Sequence, residues 1–96
     1  MNAAGLIRRT AREEGWARDP RLSNERDTFR RGPLRMRVTW SPGRGVSRAV
    51  LATTEGTGPR DHLAGLGMVH VLAELDGQDY ARPATVLGWL TSPRND

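Results

Sequence analysis

The 96 residues carry 15 arginines but no lysine and no cysteine, which excludes a disulfide framework, a thiolate metal site and a cysteine nucleophile. The net charge of +4 is unevenly spread: residues 1–48 hold 12 arginines against 5 acids (+7), and residues 49–96 hold 3 against 6 (−3), a hint of an anionic partner for the first half. Arg8 and Arg9 lie too near the start to leave room for an apolar signal core, and no apolar run approaches ~18 residues, so the chain is expected to be soluble and cytoplasmic, with no membrane partner.

A chain of this size is expected to form one domain over residues 1–96, burying about 60 to 68% of its unfolded surface. The first element is a helix over residues 1–15, starting at Asn2 or Ala3, with Ala3, Leu6, Ile7 and Thr10 on one face. Gly15 suits the left-handed residue that ends a helix, and Trp16 then folds back onto the last turns. Ala17 to Asn24, with Asp19-Pro20, reads as a connection without regular structure.

The sheet is expected over residues 27–53. Asp27 to Arg31 reads as a short edge strand with Phe29 inside and Arg30 outside, closed by Gly32-Pro33; a helical turn is the alternative. Leu34, Met36, Val38 and Trp40 then alternate with Arg35, Arg37 and Thr39, the period of a strand with one buried face. Ser41 to Gly45 interrupts the pattern with turn residues, and Val46 to Thr53 resumes it, giving a hairpin over Leu34 to Thr53. With a four-residue loop, Pro42 to Gly45, Val38 faces Ala49, Met36 faces Leu51, and Arg35, Arg37 and Arg48 share the outer face. A five-residue loop would turn Arg48 inward beside Val38, and burying an unpaired guanidinium is costly, so the four-residue loop is favoured.

Thr54 to Arg60 reads as a loop. Residues 61–91 are expected to be helical: Ala64, Met68, Val71, Leu72 and Leu75 repeat on one face, although Gly65 and Gly67 each cost about 1 kcal/mol inside a helix, and a strand across Met68 to Leu72 is the alternative. Asp76 to Ala81 is a polar connection. Pro83 then opens a second short helix with Val86, Leu87, Trp89 and Leu90 on its apolar side, and residues 92–96 are expected to fray. The architecture read from this order is α+β: an N-terminal helix, a small antiparallel sheet centred on the hairpin, and one or two C-terminal helices packed on one sheet face. Trp16, Phe29, Trp40 and Trp89 should meet near the centre of the core.

Catalytic patterns are absent from the sequence. Neither Gly43-Arg44-Gly45 nor Gly65-Leu66-Gly67 has the third glycine or the strand-to-helix setting of a dinucleotide loop, and no nucleophile elbow, zinc-protease or Walker pattern occurs. His70 and Glu74, one helical turn apart, could both reach one ion, but a solvated pair is the preferred reading. No enzymatic activity, cofactor or metal is therefore expected. The remaining feature is the outer face of the hairpin, where Arg35, Arg37 and Arg48, with Arg30 at one edge and Arg44 at the loop tip, form a candidate site for nucleic acid or an acidic partner. Lacking aromatic side chains, this face is poorly suited to stacking single-stranded bases. The competing reading of the N-terminal charges, Arg8, Arg9, Arg12, Glu13 and Glu14, is a solvated helix face in a compositionally biased proteome.

Gly15-Trp16 with Asp19-Pro20-Arg21, the run Glu25 to Gly32, the strand Arg37-Val38-Thr39-Trp40 and Val86 to Leu90 together resemble the small orphan proteins encoded by actinobacterial phages and prophages. That resemblance implies an accessory protein that binds a host or phage macromolecule, nucleic acid or protein, in the host cytoplasm. A further expectation is a homodimer through the edge strand at Asp27 to Arg31.

Overall fold

Leu34 to Trp40 and Val46 to Thr53 pair as antiparallel strands in the computed structural model, which describes residues 3–19, 25–41, 45–75 and 82–91. In chain order the elements are α1 (Ala3–Glu13), β1 (Ala17–Arg18), β2 (Arg26–Arg31), β3 (Leu34–Trp40), β4 (Val46–Thr53), β5 (Asp61–Leu63), β6 (Gly67–Leu75) and α2 (Arg82–Thr91). The strands form a six-stranded antiparallel sheet in the order β1-β2-β3-β4-β6-β5, with α1 and α2 packed together and α2 against β4. The fold is α+β.

The hairpin register is the expected one, with Val38 opposite Ala49 and Met36 opposite Leu51, but five residues, 41–45, join the strands instead of the expected four. The chain reaches it through a bulge: Thr39 faces Arg48 but Trp40 faces Val46, so Ser47 is the extra residue, and its hydroxyl donates to the Thr39 carbonyl at 3.2 Å. On the inner face Phe29, Met36, Val38, Trp40, Val46 and Ala49 join Ile7, Ala11, Trp16, Val86 and Leu90 in one buried cluster, with Trp89 packed against it. The buried side of α1 is Ala4, Ile7 and Ala11 rather than Ala3, Leu6, Ile7 and Thr10, a rotation of about one residue set by the two helices sharing this cluster. Gly15 has φ +84°, its N–H donates to the Arg12 carbonyl at 3.2 Å, and the Trp16 N–H donates to the Ala11 carbonyl at 2.9 Å, the paired bonds of a Schellman end. Trp16 is thereby turned into the core, where its Nε1 donates to the Leu90 carbonyl at 3.1 Å and joins α1 to α2.

Asp27 also faces inward, 4% exposed. Its Oδ2 accepts from Arg8 Nε at 2.8 Å and Trp40 Nε1 at 2.9 Å, and its Oδ1 accepts from Arg18 Nε at 2.7 Å. A carboxylate among apolar side chains requires such partners. They come from α1, β1 and β3, so one side chain ties three elements together.

Three further expectations are corrected. Residues 61–75 are two strands instead of a helix, the alternative read across Met68 to Leu72 and extended in both directions. The physical reason lies in Gly65, in the tight turn after β5, and Gly67, which opens β6: they take φ +81° and +80°, a backbone that no helix contains. Val69 then buries with Val50, Ala52 and Leu66 in a second cluster, while Met68 and Leu72 stay about half exposed. Ala17–Arg18 is a strand, because Ala17 pairs with Arg30 and Arg18 with Phe29. For the same reason the Asp27 to Arg31 segment is not a free edge: β1 covers its middle, and the Asp19 N–H donates to the Thr28 carbonyl at 3.0 Å. Gly43 and Arg44 at the loop tip, the connection 76–81 and the tail 92–96 lie outside the described residues.

Gly65 is also close to β2, since a Cβ built there meets Thr28 Cγ2 at 3.1 Å, whereas one at Gly58, also at positive φ, meets nothing within 4 Å. Gly65→Ala should lose about 1–2 kcal/mol from its backbone conformation plus the cost of that contact, and Gly58→Ala the conformational part alone. Urea denaturation of the two variants checks this; equal losses would show that the turn yields freely over Thr28.

Candidate nucleic-acid interface

Period-two alternation places Arg26, Thr28 and Arg30 of β2, Arg35, Arg37 and Thr39 of β3, and Arg48, Val50 and Ala52 of β4 on the face away from the helices. Pairing arranges them in cross-strand rows: Arg26, Thr39 and Arg48; then Thr28, Arg37, Val50 and Glu74; then Arg30, Arg35, Ala52 and Val71. Neighbours within a row lie about 4.5–5.5 Å apart. Two outer rows therefore carry four arginines, and the middle row carries Arg37 and one carboxylate.

The middle row is covered. The β5–β6 turn lies over it, with Arg37 Nη1 donating to the Ala64 carbonyl at 2.9 Å, Gly65 against Thr28, and Leu66 buried with Val50 and Ala52. The turn divides the basic face into two patches. One holds Arg26 and Arg48, both exposed, with half-buried Arg37 beside them. Partial burial, and then the like charges of Arg26 and Arg48, hold Arg37 below the usual arginine value, while Glu74 acts in the opposite direction. Arg37 nevertheless stays charged at neutral pH. The other patch holds exposed Arg30 and half-buried Arg35 around a recess of about 210 Å³, also lined by Ala17, Asp19, Gly65 and Leu66.

Arg30, Arg35, Arg37 and Arg48 thus share the predicted face, but not as one open fork. Arg35 curls back on its own turn, Nη1 donating to the Gly32 and Leu34 carbonyls at 2.6 and 2.9 Å. Arg44 lies outside the described residues. Arg26 belongs to the site and was not among the predicted residues, because the strand was read as starting at Asp27; continuing the alternation of Thr28 and Arg30 back two residues finds it. His70 and Glu74 are separated: the bulge between Leu51 and Ala52 sets His70 opposite Thr53 and Glu74 opposite Val50, on opposite faces. His70 Nε2 instead accepts from Arg60 Nε at 3.2 Å. Among the described residues no three His, Asp or Glu side chains gather in a way that could hold a metal ion, and no helix is long and apolar enough to cross a membrane.

Compared with protein-family models, curated proteins and solved structures, the chain matches none.

Proposed function

We propose that the protein is a non-enzymatic accessory protein that binds nucleic acid through phosphate contacts on the outer sheet face, with Arg26, Arg48 and Arg37 as the main patch and Arg30 and Arg35 as the second. The observation that carries this reading is the crowding of Arg26, Arg37 and Arg48, three guanidinium groups whose nearest rows hold Glu74 as their one carboxylate. Like charges so placed repel in the free protein, and a polyanion relieves that repulsion. Contacts of this kind give affinity and register without base reading. The resemblance to small phage-encoded proteins adds support for a macromolecular partner.

If about four phosphates are contacted, log affinity for duplex DNA falls with log salt at a slope of about −3.6. Arg26→Ala with Arg48→Ala should flatten that slope by roughly two contacts' worth, about 1.8, and weaken all sequences alike. Fluorescence anisotropy across a salt series measures both. An unchanged slope in the double variant, or no binding at low salt, would remove the reading.

A protein partner is the second reading, and the exposure of Met68 (51%) and Leu72 (53%) on β6 is the observation that favours it. A nuclease-treated pull-down separates the two, because a protein partner survives nuclease and a nucleic-acid bridge does not.

A further inference from the structure

A second arginine cluster lies on the other side of the sheet. On α1, Gly5, Arg8, Arg9 and Arg12 follow the i, i+3, i+4, i+7 spacing that lines one helix face. Opposite them stands Arg18 of β1, which pairs with inward-facing Phe29. Between them runs a groove of about 400 Å³ lined by these residues together with Ala11, Trp16 and Phe29. That volume is within the range of about 300–1,000 Å³ typical of small-ligand sites. Ala11, Trp16 and Phe29 are almost wholly buried, at 1%, 4% and 2% exposure, and the four arginines supply the groove's charged groups on walls that are more apolar than polar.

The four arginines fall into two kinds. Arg8 and Arg18 are oriented from below, because each spends its Nε on the buried Asp27 carboxylate, and each side chain is 35% exposed. Their Nη nitrogens make no hydrogen bond among the described residues, which leaves their terminal donors for a ligand. Arg8 is further steadied over the Trp40 ring, 5.8 Å from its centroid. Arg9 and Arg12 are exposed and make no side-chain hydrogen bond or ion pair among the described residues. Glu13, the last residue of α1, and Glu14 after it are not among the residues lining the groove. Four guanidinium groups thus line the groove, and the Asp27 carboxylate beneath two of them already accepts from Arg8, Arg18 and Trp40.

We propose that this groove is a binding site for a diphosphate group, with Arg8 and Arg18 as pre-oriented donors and Arg9 and Arg12 as arms that close on it. Planar forks suit the paired oxygens of phosphate, and donors already held in place lose little freedom on binding. A diphosphate carries several negative charges and enough oxygens to engage more than two forks, which a halide or a single carboxylate does not. The site is independent of the outer sheet face, because it uses none of the arginines assigned to nucleic acid.

Isothermal titration of the full chain with inorganic pyrophosphate, and separately with a nucleoside diphosphate, tests the proposal. One saturable site is expected, weakened by at least about tenfold in Arg9→Ala with Arg12→Ala. Both side chains are exposed, so this variant keeps its fold, which a thermal melt verifies. Arg26→Ala with Arg48→Ala should leave the titration unchanged, separating this groove from the outer face. Equal affinity for the two probes assigns the site to the bare diphosphate, and tighter binding of the nucleoside form assigns it to nucleotides; both support it. Absence of saturable binding to either probe, equal weakening by the outer-face variant, or equal competition from chloride would overturn it.

Discussion

Asp27→Ala should lose about 3–5 kcal/mol of folding free energy, the range found when one partner of a buried ion pair is removed. The carboxylate is the acceptor for Arg8 Nε, Arg18 Nε and Trp40 Nε1, all within 2.9 Å. Alanine leaves three donors without it, and the indole N–H is the one that water reaches least, since Trp40 is 9% exposed. The two arginine side chains are about one-third exposed and can swing toward solvent, which places the loss at the lower end of that range. Asp27→Asn keeps the shape and one acceptor oxygen, so it should lose about 1–3 kcal/mol. Denaturant unfolding of both variants checks the order and the size. A loss below about 1 kcal/mol for alanine would mean that Arg8, Arg18 and Trp40 find water or other acceptors readily, and that the carboxylate does not join the three elements.

How far such a residue could be read from sequence depends on how local its reasons are. The Leu34 to Thr53 hairpin was legible because alternation and the cost of an inward Arg48 both act within one strand pair, and Val38 does face Ala49. Gly15 and Trp16 were legible because a helix end is settled within six residues. Asp27 was not. Period two places it on the same face as Phe29, but its partners lie 19 residues before it on α1, 9 before it on β1 and 13 after it on β3. Gly65 and Gly67 were weighed as helix penalties and as an incomplete dinucleotide loop, when their positive φ is what turns β5 into β6. The covering of the middle row followed from that turn, so the sequence-predicted arginine face emerged as two patches. Arg9 and Arg12 read as a solvated helix face until β1, a strand of two residues, supplied the opposite wall of a groove.

Leu90→Ala should lose about 2–5 kcal/mol, the range for truncating a fully buried leucine. Leu90 has no exposed surface and sits in the cluster shared by α1, α2 and the inner sheet face. The residue does two things at once. Its side chain fills the core, and its carbonyl accepts from Trp16 Nε1 at 3.1 Å and from Arg31 Nη1 at 3.3 Å. The Arg31 guanidinium in turn lies 4.7 Å from the centroid of the Trp16 ring. Alanine preserves the carbonyl but leaves a cavity beside it, and a last helical turn that settles into the cavity takes the acceptor with it. Two observables therefore change together: the denaturation midpoint falls, and the tryptophan emission of the folded state shifts as the Trp16 N–H loses its partner. Thr91→Ala, one position on and exposed, should stay within about 0.5 kcal/mol of the parent. A destabilised Leu90→Ala with unchanged emission would locate the effect in the cavity alone. A loss below about 1 kcal/mol would mean that α2 packs too loosely to hold Trp16, and with it the end of α1 that forms one wall of the arginine groove.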